Sequence, residues 1–306
     1  MSTPLSVDEV HVLGCGALGR AWAFALADLG TPVALGSRSA DRAGGLATEL
    51  AAAFPGVRAR VLGAGERLPV GSAWTILAVT DAALAEVART LARSAAPGQG
   101  VVWHGSGPLG SRVLAPLAEH GRSVGKLHPL AALSASRDPG RRLRGAWFAV
   151  QGDAAARDAG HELVEAVGGR ALDLSEGAGQ AERYHAAATL VAGGAVALVA
   201  EALALLEGAA PRDEARAALA SLLASAAANL DELEPAVALT GPVARGDAGV
   251  VSAHLAALGQ APESTRRLYA LLGAVGVDLA ARGERLDAEA RARILALLDA
   301  EPPPAG

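Results

Sequence analysis

The chain has 306 residues, 51% hydrophobic and 19% charged, with a formal net charge of -5 and a single cysteine, Cys15. At roughly 100 to 200 residues per domain, that length suits two domains with cores of their own. The lone thiol and the acidic balance argue against a disulfide framework, a cysteine metal site and a nucleic-acid-binding surface. The opening MSTPLSVDEV has no basic stretch followed by an apolar one, so the expected location is the cytoplasm.

Along the N-terminal half, short runs rich in Val and Leu alternate with helix-like segments, the rhythm of βαβ units in a parallel sheet. Strands are predicted at Val10 to Leu13, Pro32 to Gly36, Arg58 to Leu62, Trp74 to Val79, Gly100 to His104, Ser123 to Leu127, Trp147 to Gln151 and Arg170 to Leu174. Helices between them have plausible caps, with Asp81 ahead of AALAEVARTLA and a Gly/Ser/Pro cluster ahead of LGSRVLAPLAEHG. A right-handed, doubly wound α/β sheet over residues 1–177 is the topology this implies.

After Leu174 the β-branched runs give way to long Ala/Leu segments, which predict an all-helical C-terminal domain over residues 178–300 and a frayed tail at 301–306. Its helices are expected at Gln180 to Glu207, Arg212 to Leu230, Gly249 to Leu258, Glu263 to Ala274 and Ala288 to Ala300, with LTGPVARGD (Leu239 to Asp247) as a loop. The uncharged run between Arg183 and Glu201 falls just short of the roughly 20 apolar residues of a membrane span and is read as a buried helix, with no membrane partner.

The strongest motif is VHVLGCGALGRAW, in which Gly14, Gly16 and Gly19 form GxGxxG between a predicted strand and a predicted helix. In that setting Gly14 serves the tight turn, Gly16 lets the backbone approach a pyrophosphate, and Gly19 allows close helix–strand packing. Free N–H groups at the helix start, over Ala17 and Leu18, would meet the phosphates. The stretch VALGSRSADR, where an NAD site usually carries a carboxylate, holds Ser37, Arg38 and Arg42 instead, which suits a 2′-phosphate and favours NADPH over NADH. Thr80 would lie beside the nicotinamide ribose, or simply serve a helix start together with Asp81. Cys15 is read as an apolar filler.

Polar residues beyond the carboxyl ends of strands point to the reaction site. They are His104 and Ser106 in WHGSG, and Lys126 and His128 in KLHPL. The helical half adds Tyr184 and His185 at the start of its first helix and Arg245 in LTGPVARGD. His128 and His185 are the proposed hydrogen-bond or proton donors to a substrate oxygen, with Ser106 assisting and Arg245 gripping a carboxylate. Ser106 and Asp247 also have simple capping roles open to them. The helical half contains no lysine, so a lysine acid from that half is excluded.

The set VLGCGALGRAW, WHGSG, KLHPL, ERYHAAATLVAGG and LTGPVARGD resembles a bacterial family in which a Rossmann-like NADP oxidoreductase domain is joined to a helical domain of unknown function. The resemblance covers nearly the whole chain. It implies a pyrroline-5-carboxylate-reductase-like architecture and a homodimer formed through the helical domain. It also marks Thr240, Gly241, Pro242, Arg245, Gly246 and Asp247 with His128, Tyr184 and His185 as cleft positions. The chain departs from the family pattern at Trp103, and at Ala192 to Gly194 where a Ser-Asn pair is more usual. The expected function is NADPH-dependent reduction of a small 2-oxo acid, ketopantoate first, in a cleft between the domains. Cyclic-imine reduction and a non-catalytic NADP-sensing scaffold stand beside it.

Overall fold

Eight apolar runs pair into one sheet in the structure, a computed structural model that describes residues 5–62, 73–94, 100–133 and 138–300. They are β1 (Val10–Leu13), β2 (Val33–Gly36), β3 (Ala59–Val61), β4 (Trp74–Leu77), β5 (Val101–His104), β6 (Ser123–Pro129), β7 (Trp147–Gly152) and β8 (Arg170–Asp173). Their spatial order is β3-β2-β1-β4-β5-β6-β7-β8. The chain winds outward from β1 in both directions, so the crevice for a ligand opens beyond the carboxyl ends of β1 and β4.

All neighbours are parallel except β6 and β7, which pair antiparallel with Lys126 opposite Gln151 and His128 opposite Ala149. The doubly wound parallel sheet predicted from the sequence is thus present with one antiparallel pair. A parallel return requires a long crossover, usually helical. Between β6 and β7 the described residues contain only a 3-10 turn at Gly140–Leu143.

The helices of this part are α1 (Ala17–Asp28), α2 (Ala40–Ala53), α3 (Asp81–Ser94), α4 (Ala115–Ala118) and α5 (Ala154–Ala166). On one sheet face Val10, Val12, Ile76, Trp103, Leu127 and Phe148 pack with residues of α1, α2 and α5. On the other, Leu77, Val102 and Val124 pack against Leu84 and Ala88 of α3 and Leu114 and Leu117. The predicted helix LGSRVLAPLAEHG is broken into a 3-10 turn at Ser111–Leu114 and the four residues of α4, where Pro116 sits in the opening turn. Proline lacks the N–H that would have continued the earlier turn.

Residues 1–192 form one compact unit and 193–306 a second. The long α6 (Gln180–Leu205) carries the chain from one to the other. The second unit is helical: α7 (Arg212–Glu232), α8 (Pro235–Ala238), α9 (Ala248–Ala257), α10 (Glu263–Arg282) and α11 (Ala288–Asp299), with Val251, Val277, Ile294 and Leu298 as its core. α10 runs past its predicted end at Ala274. Its glycines are packing positions rather than stops: a Cβ on Gly273 would press on Leu298, and one on Gly276 on Val243. The predicted tail 301–306 lies outside the described residues.

α6 is not the buried helix expected from its composition. Leu190, Val191 and Val196 are 77%, 72% and 72% exposed. By length and composition alone it also meets the requirement for crossing a membrane, which the sequence reading placed just out of reach. An apolar helix signals that something must cover it, but its sequence does not say whether the cover lies in the same chain.

Candidate active site

The glycine loop is built as its spacing demands. Gly14 has φ +109°, and a side chain there would overlap the Ala78 carbonyl at the end of β4. A Cβ on Gly19 would overlap the Gly14 carbonyl oxygen and crowd Ala78. Gly16 differs from both, since a Cβ there would meet no atom within 4 Å. Gly16 is also the N-cap of α1, and no side chain caps the helix. The first-turn N–H groups, which an α-helix cannot satisfy itself, therefore face an open space at its positive end. The residues fit a pyrophosphate.

At the end of β2 stand Ser37 and Arg38, both exposed, in a stretch GSRSA that holds no carboxylate. Ser39 caps α2 by accepting from the Arg42 N–H at 3.3 Å. Arg42, Cys15, Arg20, Leu46 and Glu49 line a hollow of about 370 Å³, in which Arg20 pairs with Glu49. Burial pushes the Cys15 thiol pKa up, which matches its role as filler.

A polar cluster occupies the carboxyl ends of β5 and β6. Alternation along β6 puts Val124, Lys126 and His128 on one sheet face, and register puts His104 beside Lys126. His104 is fully buried; its Nδ1 accepts from the Ser106 N–H at 3.1 Å and its Nε2 lies 3.1 Å from the Gly110 carbonyl. That pattern requires a neutral ring with its hydrogen on Nε2. Burial drives the His104 pKa to about 4, against the hydrogen bond to Gly110. The Lys126 side chain is likewise buried; its Nζ donates to the Gly107 carbonyl and lies 4.7 Å from the Tyr184 ring centroid. Burial lowers its pKa to about 8, opposed by the Glu182 and Asp81 carboxylates.

The first turns of α6 complete the cluster. Tyr184 Oη is 2.7 Å from His128 Nδ1, and the His128 and His185 rings are 6.0 Å apart. Burial, then the charges of Lys126 and His185, bring the His128 pKa to about 4; burial pushes the Tyr184 hydroxyl well above its ordinary value. His185 Nδ1 is buried with no hydrogen-bond partner among the described residues. It packs so closely on Gly107 that a side chain there would overlap the ring.

The expected residues divide accordingly. His128 and His185 meet, with the Ser106 turn alongside. Ser106 Oγ accepts from the Leu109 N–H at 3.3 Å, a turn-forming bond. Thr80 is exposed, and its carbonyl accepts from the Ala83 N–H at the start of α3. Arg245 is exposed in a 3-10 turn of the second unit, where Asp247 caps α9 through the Val250 N–H. Trp103 points to the opposite sheet face and donates to the Ala156 carbonyl at 2.9 Å. Lys126 belongs to the KLHPL cluster of the sequence but carries no chemical task there. The available signal was that this is the only lysine in the chain and lies two residues before His128. Among the described residues no group of His, Cys, Asp or Glu is arranged to hold a metal ion.

A glycine cradle in the first β–α turn of a doubly wound sheet defines a Rossmann-like protein. Residues 9–129 match the model of the Rossmann-like domain, and residues 146–275 that of the domain of unknown function DUF2520. The chain thus joins a Rossmann-like domain to a DUF2520 domain, the pairing implied by its sequence motifs. No curated protein matches it. Among solved structures, protein TM1727 from Thermotoga maritima is similar over 90% of this chain and 99% of its own, at 22% identity and a TM-score of 0.63. An imine reductase from Streptomyces aurantiacus is similar over 95% and 100%, at 19% and 0.58. A reductive aminase from Aspergillus terreus, solved with NADPH and ethyl-5-oxohexanoate, is similar over 96% and 93%, at 18% and 0.55. These likenesses establish the shared fold.

Proposed function

We propose that the protein is an NADPH-dependent reductase of a small carbonyl compound, with 2-oxo acids, ketopantoate first, as the substrate class. The observation that carries this reading is the open, uncapped start of α1 at Gly16 within the glycine turn, which suits a pyrophosphate. Ser37, Arg38 and Arg42 would hold a 2′-phosphate, and Ala17 and Leu18 would offer backbone N–H groups to the pyrophosphate. Bound NADPH would supply a hydride. The chain's own part is to hold the carbonyl and furnish a hydrogen-bond donor to its oxygen, for which His128 and His185 are the candidates. Arg245 is the proposed carboxylate ligand.

Imine reduction is the second reading, favoured by the fold likeness to an imine reductase and a reductive aminase. The exposed apolar side chains of α6, with Leu222 of α7 and Leu271 of α10 at 66% and 64% exposure, support a homodimer through the helical region. The test is NADPH consumption against a panel of 2-oxo acids and cyclic imines, with NADH as control. Turnover on one class selects between the readings. NADPH binding without turnover on any compound would favour an NADP-sensing scaffold.

A further inference from the structure

We propose that His128 delivers the proton of the reduction as a neutral imidazole through Nε2, that Tyr184 supplies Nδ1 in turn, and that Lys126 is the positioning residue whose ammonium balances the charge left on Tyr184. This rests on the reductase reading above. The 2.7 Å contact between His128 Nδ1 and Tyr184 Oη carries one hydrogen. The tyrosine keeps its proton and the imidazole is uncharged at neutral pH, so the hydroxyl donates and the ring's own hydrogen sits on Nε2. Nε2 has no hydrogen bond among the described residues and is the ring atom left to meet a ligand. Neutral imidazole is an established electrophile toward a carbonyl oxygen where its surroundings hold its pKa low.

The proton movements balance. As the carbonyl carbon accepts a hydride, the C=O π pair moves to oxygen; the His128 Nε2–H bond breaks and a product O–H bond forms. The Tyr184 O–H bond breaks and an N–H bond forms at Nδ1, leaving a neutral ring of the opposite tautomer and a phenolate. A solvent proton then enters at Nε2 while Nδ1 returns its proton to Tyr184. A buried phenolate is costly without a counter-charge. Lys126 provides it: the ammonium is anchored on the Gly107 carbonyl over the Tyr184 ring and, fully buried, touches no substrate. The ionisable groups around it are Asp81 on α3, His104 on β5, His128 on its own strand, and Glu182, Tyr184 and His185 on α6. Because Lys126 loses its proton near pH 8, turnover should fall above that pH.

The decisive measurement is the ¹⁵N NMR spectrum of His128 in the full-length protein at pH 7, which needs neither cofactor nor substrate. The expected result is an unprotonated, hydrogen-bonded Nδ1 and a protonated Nε2, with the preference lost in Tyr184→Phe. An imidazolium, or a hydrogen on Nδ1, overturns the relay even if the protein is a reductase. Failure of the reductase reading would instead show as absent NADPH binding and turnover. In steady-state kinetics Tyr184→Phe should lower kcat about a hundredfold with NADPH affinity retained. Lys126→Met should lower kcat about tenfold and abolish the alkaline limb. An unchanged kcat in the first, or an unchanged limb in the second, would overturn the corresponding role.

Discussion

Substituting Gly16 with alanine separates the ligand-facing function of the glycine loop from its structural one. At φ -80° and ψ -168° the residue has a backbone conformation open to alanine, and the new Cβ would meet no atom within 4 Å. Two small effects on stability oppose each other. Alanine restricts the unfolded chain, worth about 0.4–1 kcal/mol, and is a poorer N-cap than glycine by a similar amount. The melting temperature should therefore move by no more than about 4 °C. The methyl group would, however, stand where a pyrophosphate must approach the helix start. Each hydrogen bond to a charged oxygen is worth about 1.5–3 kcal/mol, so losing one should weaken NADPH binding about tenfold to a hundredfold. Gly19→Ala is the control, because its Cβ would overlap the Gly14 carbonyl oxygen and the fold itself should suffer. Fluorescence titration with NADPH and thermal melting on the same preparations give both readouts. An unchanged Kd in Gly16→Ala would refute the phosphate assignment, and a large loss of melting temperature would refute the claim that the space is open.

Removing Arg38 and Arg42 together should weaken NADPH about ten- to a hundredfold and leave NADH unchanged, measured by parallel titrations; equal losses for both would dismiss these residues as 2′-phosphate ligands. Acid should destabilise the fold through His104. Its folded pKa of about 4 lies below the ordinary 6.5, so its contribution is complete above pH 6.5 and is lost as pH falls toward 4. For so buried a ring the loss is on the order of 3 kcal/mol, and urea midpoints between pH 7 and 4.5 should fall less steeply in His104→Asn than in the wild type. Leu190→Glu places a charge on the exposed apolar face of α6 and should convert a dimer to a monomer in light scattering; a wild-type monomer would remove the basis for the dimer.

The features legible in the sequence were local ones. GxGxxG is legible because Gly14 and Gly19 answer steric demands from within a few residues or from the adjoining end of β4, while Gly16 leaves the helix start open. The central strands β1, β2, β4 and β5 are legible because a buried parallel strand is a short apolar run bounded by turn residues, and the less buried β3 and β8 because they recur at the same βα rhythm. The helix starts at Ala288 and Arg212 were likewise read directly. The glycines of α10 misled, because whether Gly273 ends a helix or admits Leu298 depends on a partner some 25 residues further on, at the other side of a helix packing contact.

The candidate site was only half legible. Composition and spacing brought out the histidines, but no local pattern says that a lysine on β6 lies under a tyrosine 58 residues later, or that this tyrosine sets the tautomer of His128. Burial, which decides whether those groups carry charge, is a property of the folded unit as a whole. The sequence by itself determined the glycine turn, the order of the elements and the change from a mixed to a helical half, because these follow from short-range sterics and hydrophobic period. Tertiary structure alone decided the antiparallel turn of β7, the exposure of α6, and the meeting of Lys126, Tyr184 and His128, because each depends on residues that only packing brings together.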